Sequence, residues 1–142
     1  MKLFFDTSSL FKLYHLEEGS KEIISFFSSH QISSIFIFEI TSIEFCSAVW
    51  KKCRKLEINE EAAIFLIHKF ETDLGKYQVV NQTTKLTTLA KNLMNKHWKA
   101  GLRTLDSIQL ASELSIKDID YFFTSDQILA ELAKEEHLKV MI

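Results

Sequence analysis

Apolar residues recur along this chain in two alternating patterns. Short runs rich in Phe, Ile, Val and Tyr, apolar on both faces, read as buried strands over 2–6, 33–38, 77–80, 121–124 and 138–142. Between them, apolar positions fall at helical spacing. Thr7, Ser8 and Ser9 stand where they can cap a helix carrying Leu10, Phe11, Leu13 and Tyr14. After the break at Gly19 and Ser20, a second helix carries Ile23, Ile24, Phe26 and Phe27. A long helix is expected over 40–54. Asn59 caps the next, which faces Ala62, Ala63, Leu66, Ile67 and Phe70 inward and stops at Gly75. A helix over 83–98 ends at Gly101, one capped by Thr104 carries Leu105, Ile108, Leu110, Ala111 and Leu114, and Ser125 caps the last.

Strands that alternate with helices in this way predict an α/β fold, a central and mostly parallel sheet of about five short strands flanked by helices. The 142 residues suit one domain, and with no Pro and only three Gly there is no visible linker or repeat. At 46% hydrophobic and 25% charged residues, the composition is that of a globular protein rather than a disordered or fibrous one. No apolar run approaches the ~20 residues of a membrane span, and Asp6 interrupts the N-terminus too early for a secretory signal. Cys46 and Cys53, seven apart in a helical segment, are too distant to pair with each other and read as reduced thiols of a cytoplasmic protein. The net charge of −2 excludes a strongly basic nucleic-acid coat but not a local basic patch.

The acids carry the candidate chemistry. Asp6 and Asp126 both follow strands, at the rim where open α/β sheets bind ligands, although each is also a good helix cap. Glu44 lies in the 40–54 helix with Ile40 and Ala48 one turn to either side, and a carboxylate in apolar surroundings needs an ion partner or a metal. Asp106 falls in the first turn of a helix, where the dipole alone favours an acid. Four carboxylates without His or Cys at ligand spacing are hard oxygen donors suited to Mg²⁺ or Mn²⁺. One or two such ions can activate water and stabilise the leaving oxygen of a phosphodiester.

The blocks around these acids are Phe5-Asp6-Thr7-Ser8-Ser9-Leu10, Ile40-Thr41-Ser42-Ile43-Glu44-Phe45, Leu102-Arg103-Thr104-Leu105-Asp106-Ser107-Ile108-Gln109 and Phe123-Thr124-Ser125-Asp126. In this order, and over essentially the whole chain, they resemble the PIN-domain ribonucleases, in particular the VapC toxins of toxin–antitoxin pairs. The resemblance implies a single PIN-like nuclease domain over residues 1–142 in which Asp6, Glu44, Asp106 and Asp126 hold Mg²⁺ or Mn²⁺. Ser8 and Thr124 would be supporting polar neighbours. It also implies cleavage of structured RNA such as transfer or ribosomal RNA, a homodimer, and a cognate antitoxin that blocks the site. Many members carry His where this chain has Gln109, which can hydrogen-bond but not titrate.

Two other functions compete. A haloacid-dehalogenase-like phosphohydrolase would need Asp-x-Asp where this chain has Asp6-Thr7-Ser8. A catalytically inactive RNA- or protein-binding module on the same fold would be expected to have lost some of the acids. Lys51, Lys52, Arg54 and Lys55 could grip phosphates or simply solvate a helix end, and Lys91, Lys96, Lys99 and Arg103 form a second basic strip. Phe26, Phe27, Phe36, Phe38 and Phe45 could make a patch for a partner or be absorbed by the core. Without metal, four converging acids should repel one another, so Asp106→Asn is expected to stabilise the metal-free protein.

Overall fold

The computed structural model describes residues 1–141. The strands are β1 (Lys2–Phe5), β2 (Ser34–Phe38), β3 (Gln78–Val80), β4 (Tyr121–Phe123) and β5 (Val140–Met141). The helices are α1 (Thr7–Phe11), α2 (Ser20–Ser29), α3 (Thr41–Arg54), α4 (Glu60–Asp73), α5 (Thr84–Lys96), α6 (Thr104–Leu114) and α7 (Gln127–Glu135). The fold is α/β, as the alternating pattern predicts.

All pairings are parallel and the strand order is β3-β2-β1-β4-β5. Register places Phe4 beside Phe36 on one side and Phe122 on the other. The chain builds outward from β1 through β2 to β3, then returns to the other edge of β1 as β4. This reversal leaves a crevice beyond the carboxyl ends of β1 and β4.

The pleat sorts the core into two layers. Leu3, Phe5, Ile37 and Phe123 join residues of α1–α4, among them Leu10, Phe11, Ile23, Phe26, Phe45, Val49, Leu66 and Phe70. Phe4, Phe38 and Phe122 face the opposite way, against Leu86, Ala90 and Leu93 of α5, Leu110 and Ala111 of α6, and Leu129, Leu132 and Ala133 of α7. Aromatic stacking reinforces the first layer, with Phe5 on Phe123 at 4.4 Å and Phe45 on Phe70 at 4.2 Å. The five phenylalanines considered as a partner patch are core instead, since Phe26, Phe38 and Phe45 are buried and Phe27 and Phe36 pack partly buried against the two layers.

Several element ends fall elsewhere than expected. The carboxylates cap α1 and α7, for Asp6 accepts from Ser9 N and Asp126 from Leu129 N, displacing Thr7–Ser9 and Ser125 from that role. Arg103, not Thr104, is the N-cap of α6 and makes no side-chain cap bond. Asn59 caps α4 as expected, and Thr83, expected within the helix, caps α5. Gly75 does not stop α4 by a left-handed turn, because the helix ends at Asp73 and tightens into a 3-10 turn over Leu74–Lys76. α5 ends at Lys96, and Gly101, at φ +72°, follows another 3-10 turn over Trp98–Ala100. Residues 138 and 139 precede β5, and Ile142 of that expected strand lies outside the described residues.

Phe45 ties the helix bearing Glu44 to the core, contacting the rings of Phe11, Tyr14 and Phe70. Phe45→Ala should therefore lower unfolding stability by about 3–5 kcal/mol. Urea denaturation of the two proteins checks this, and a loss under about 1 kcal/mol would mean that the contact is not formed.

Candidate active site

Asp6 stands just past β1, with only 5% of its surface exposed. A buried carboxylate must be given donors, and three are supplied. Thr124 Oγ1 donates to Oδ2 at 2.6 Å, while Ser8 Oγ and Ser9 N donate to Oδ1 at 2.7 and 2.9 Å. Burial pushes its pKa up to about 6, although those hydrogen bonds pull it down, and the charge of Glu44 adds to the rise.

The same atoms join the loops after β1 and β4. Thr124 Oγ1 accepts from Asp126 N at 3.1 Å, and Ser8 Oγ accepts from Ser125 N at 2.9 Å. Ser9 and Ser125 hydroxyls lie 3.1 Å apart. Ser8 and Thr124, both singled out in the sequence, thus bond directly to Asp6.

Glu44 comes from the first turn of α3 and is held by neutral donors. Thr7 Oγ1 donates to Oε2 at 2.5 Å and Gln109 Nε2 at 2.9 Å. Glu44 does not pair with Lys51. Because an ionised carboxylate only accepts, the Gln109 amide must present its NH₂ to Glu44. That leaves Gln109 Oε1 buried with no hydrogen-bond partner.

Asp106 and Asp126 are held by a full charge. Arg103 Nε donates to Asp106 Oδ2 at 2.6 Å and Nη2 to Asp126 Oδ2 at 2.9 Å. With the Arg103 side chain 71% exposed, each pair contributes only about 0.2–1 kcal/mol. This corrects the expectation that Asp106→Asn relieves repulsion, since in this arrangement the substitution removes an ion pair.

All four acids line one cleft of about 640 Å³. Thr7, Ser8, Arg103 and Gln109 share its walls, and Lys12, Lys51, Lys52 and Lys55 bring positive charge to it. Lys52 is engaged by Glu17 at 3.1 Å and Glu57 at 3.0 Å. Among the described residues, no three His, Cys, Asp or Glu side chains are gathered tightly enough to hold an ion as they stand. The acids share a cavity, but each is turned to its own donor. The donor set nonetheless fits a hard divalent cation, with four carboxylates and a buried orphan amide oxygen, although the guanidinium shared by Asp106 and Asp126 occupies one oxygen of each.

Two contributors escaped the sequence reading. Thr7 appeared only as a cap, and Arg103 only as one of a basic strip. Its spacing of three from Asp106 at a helix start is the available signal.

No family model matches the chain, and no curated protein matches it either. Solved structures do resemble it. VapC20 of Mycobacterium tuberculosis, a sarcin–ricin-loop-cleaving toxin, is 15% identical with a TM-score of 0.70, covering 91% of this chain and 93% of its own. FitAcB from Neisseria gonorrhoeae is 13% identical with a TM-score of 0.74, covering 99% and 96%. VapBC-1 from nontypeable Haemophilus influenzae is 17% identical with a TM-score of 0.68, covering 99% and 97%.

The raised Asp6 carboxyl generates a pH dependence. Below about pH 3.8 it is protonated folded and unfolded alike. As pH rises through the window from 3.8 to about 6, the unfolded form ionises first and stability is lost, and the loss persists above. Its full size is roughly 3 kcal/mol. Glu113, pushed up to about 7 by burial, adds to the same slope, so the comparison needed is between wild type and Asp6→Asn in chelator. Relative to its value at pH 3.5, the stability difference should move in favour of the Asn variant by about 2–3 kcal/mol by pH 7.5. A difference that stays flat across the range would show that Asp6 is not a buried, unpaired acid. Likeness at this level of identity shows the fold, and by that measure the chain is folded as a PIN-like domain of the kind seen in VapC toxins.

Proposed function

We propose that this chain, read as one nuclease domain over residues 1–142, is a divalent-metal-dependent endoribonuclease and the toxin of a toxin–antitoxin pair. The observation that carries the reading is that Asp6, Glu44, Asp106 and Asp126 line a single cleft at the point where the strand order reverses. Such a cleft suits a phosphodiester substrate because it combines acids for cations with lysines for phosphates. The sarcin–ricin-loop-cleaving toxin of the same fold supports RNA as the substrate.

Asp6, Glu44 and Asp106 would hold Mg²⁺ or Mn²⁺, with Asp126 bound directly or through water. The ion would supply acidification of an attacking water and neutralisation of charge on the leaving oxygen. The chain's own groups do the rest. Ser8 and Thr124 keep the Asp6 carboxylate fixed, and Thr7 and Gln109 do the same for Glu44. Gln109 does not titrate, so it orients rather than carries a proton. Lys12, Lys51 and Lys55 bind backbone phosphates along the wall, whereas Lys52 is neutralised by Glu17 and Glu57. Attack by water leaves 5′-phosphate and 3′-hydroxyl ends, and cyclic-phosphate products would rule the mechanism out.

The expected partners are a structured RNA, a second copy of the chain and an antitoxin. Structures with this fold include VapBC and FitAB assemblies, three of them bound to DNA. The cleft flanked by residues 9–30 and α3 offers the antitoxin both acids and apolar surface. Leu105 lines it, and Leu16 and Ile43, at 77% and 68% exposure, adjoin the lining residues Glu17 and Glu44. An antitoxin Arg or Lys would pair with the carboxylates. Action in the cytoplasm is part of the proposal; among the described residues no helix is long and apolar enough to cross a membrane.

Arg103 in contact with two of the acids is what an inactive binding module would also show, and cleavage separates the readings. Purified protein should cut RNA with Mg²⁺ or Mn²⁺ and stop in chelator. Asp6→Asn, Glu44→Gln and Asp106→Asn should each lower the rate by at least about a hundredfold with unchanged circular dichroism, while Asp126→Asn retains measurable activity. Losses below tenfold in all three would remove these acids from the reaction.

A further inference from the structure

Arg103 makes no cap bond to its own helix, and its largely exposed side chain is held by charge. One guanidinium spans two elements, the first turn of α6 through Asp106 and the N-cap of α7 through Asp126. The bond to Asp106 and the charges of the nearby acids hold its proton more firmly than usual. Asp126 has already committed Oδ1 to the Leu129 amide, so Arg103 takes the remaining oxygen that the cleft offers from that residue. Glu44 and Asp6, by contrast, are satisfied by neutral donors. Arg103 is thus a cation of the cleft's own that bridges two of the four candidate acids, as Lys52 does for Glu17 and Glu57 further along the wall.

We infer that Arg103 is an internal counter-cation for Asp106 and Asp126, one that a divalent ion must displace before those carboxylates can take part in binding it. Arg103 is thus a positioning residue that sets how readily the cleft accepts metal. The inference rests on the metal-dependent reading above. A purely structural staple has the opposite signature. If Arg103 served to gather the two acids into a ligand set, its removal would scatter them and weaken metal binding. If it competes for them, its removal strengthens metal binding. Two exposed ion pairs correspond together to about a two- to thirtyfold change in an equilibrium constant.

The test is calorimetric titration of Mn²⁺ into the metal-free full chain, without RNA, for wild type, Arg103→Ala and Arg103→Lys. Thermal unfolding in chelator establishes that each is folded, and the Lys variant carries the test if Ala does not fold. The dissociation constant for Mn²⁺ should fall about twofold or more in Arg103→Ala. Arg103→Lys should lie between, because its ammonium keeps the charge but lacks the two-pronged bridge. An unchanged or weaker Mn²⁺ affinity in Arg103→Ala, or a Lys variant identical to wild type, overturns the inference and leaves the nuclease reading standing. Absence of Mn²⁺ binding by every protein overturns both.

Discussion

Asp6 is buried at the end of the central strand, and a carboxylate in that position has to be surrounded by donors. The donors come from both sides of the sheet's reversal. Ser8 and Ser9 belong to the turn that begins α1, and Thr124 belongs to the end of β4. Satisfying one side chain therefore draws the β1 and β4 loops together, and the backbone of Ser125 and Asp126 is anchored by the same hydroxyls. The two helix starts, α1 and α7, are then positioned by acids that also line the cleft. Removing the carboxyl's charge relieves a burial cost, but removing its oxygens would unhook the rim.

The cleft meets its negative charge in two ways. Near β1, Asp6 and Glu44 are screened by hydroxyls and an amide, which hold geometry without cancelling charge. On the other side, Asp106 and Asp126 share a guanidinium. The first pair keeps its full demand for a cation, and the second has it partly met. This division explains why acids that line one cavity do not form a ready ion cage, since each is drawn toward the donor that its own element provides.

Much of the fold was legible because the strands are short, apolar and separated by helices with clear inward faces. Asp6 and Asp126 were legible as rim acids for the same reason, because each ends an apolar run. The caps were misread because Ser, Thr and Asp stand side by side at 6–9 and 125–126, and any of them can cap. Burial decides between them, as Asp6 has no solvent to turn to. Arg103 was not legible because its second partner lies 23 residues on, beyond a strand. Phe27 and Phe36 could not be told from surface residues until the two core layers were known. Gln109 was visible as a departure from the resembled pattern, but its bond to Glu44 depends on a contact between α6 and α3.

The sheet's order also sets a timetable for synthesis. β1 is made before every other strand of the sheet, yet one of its two edges waits for β4, and Asp6 waits for Thr124, 118 residues later. At about 5–20 residues per second, that interval is roughly 6–24 s. In its later part, once α4 and β3 have been made, the α1–α4 layer can condense on one face of a half-sheet, while the other edge of β1 stays unpaired and able to bond a neighbouring chain. A ribosome-bound fragment ending before β4 would carry Asp6 and Glu44 but neither Asp106's helix docked on β4 nor Asp126. Completion of the cleft is thus deferred until β4 and Asp126 have been made, and the period of greatest exposure to mispairing falls before the protein has its full set of acids.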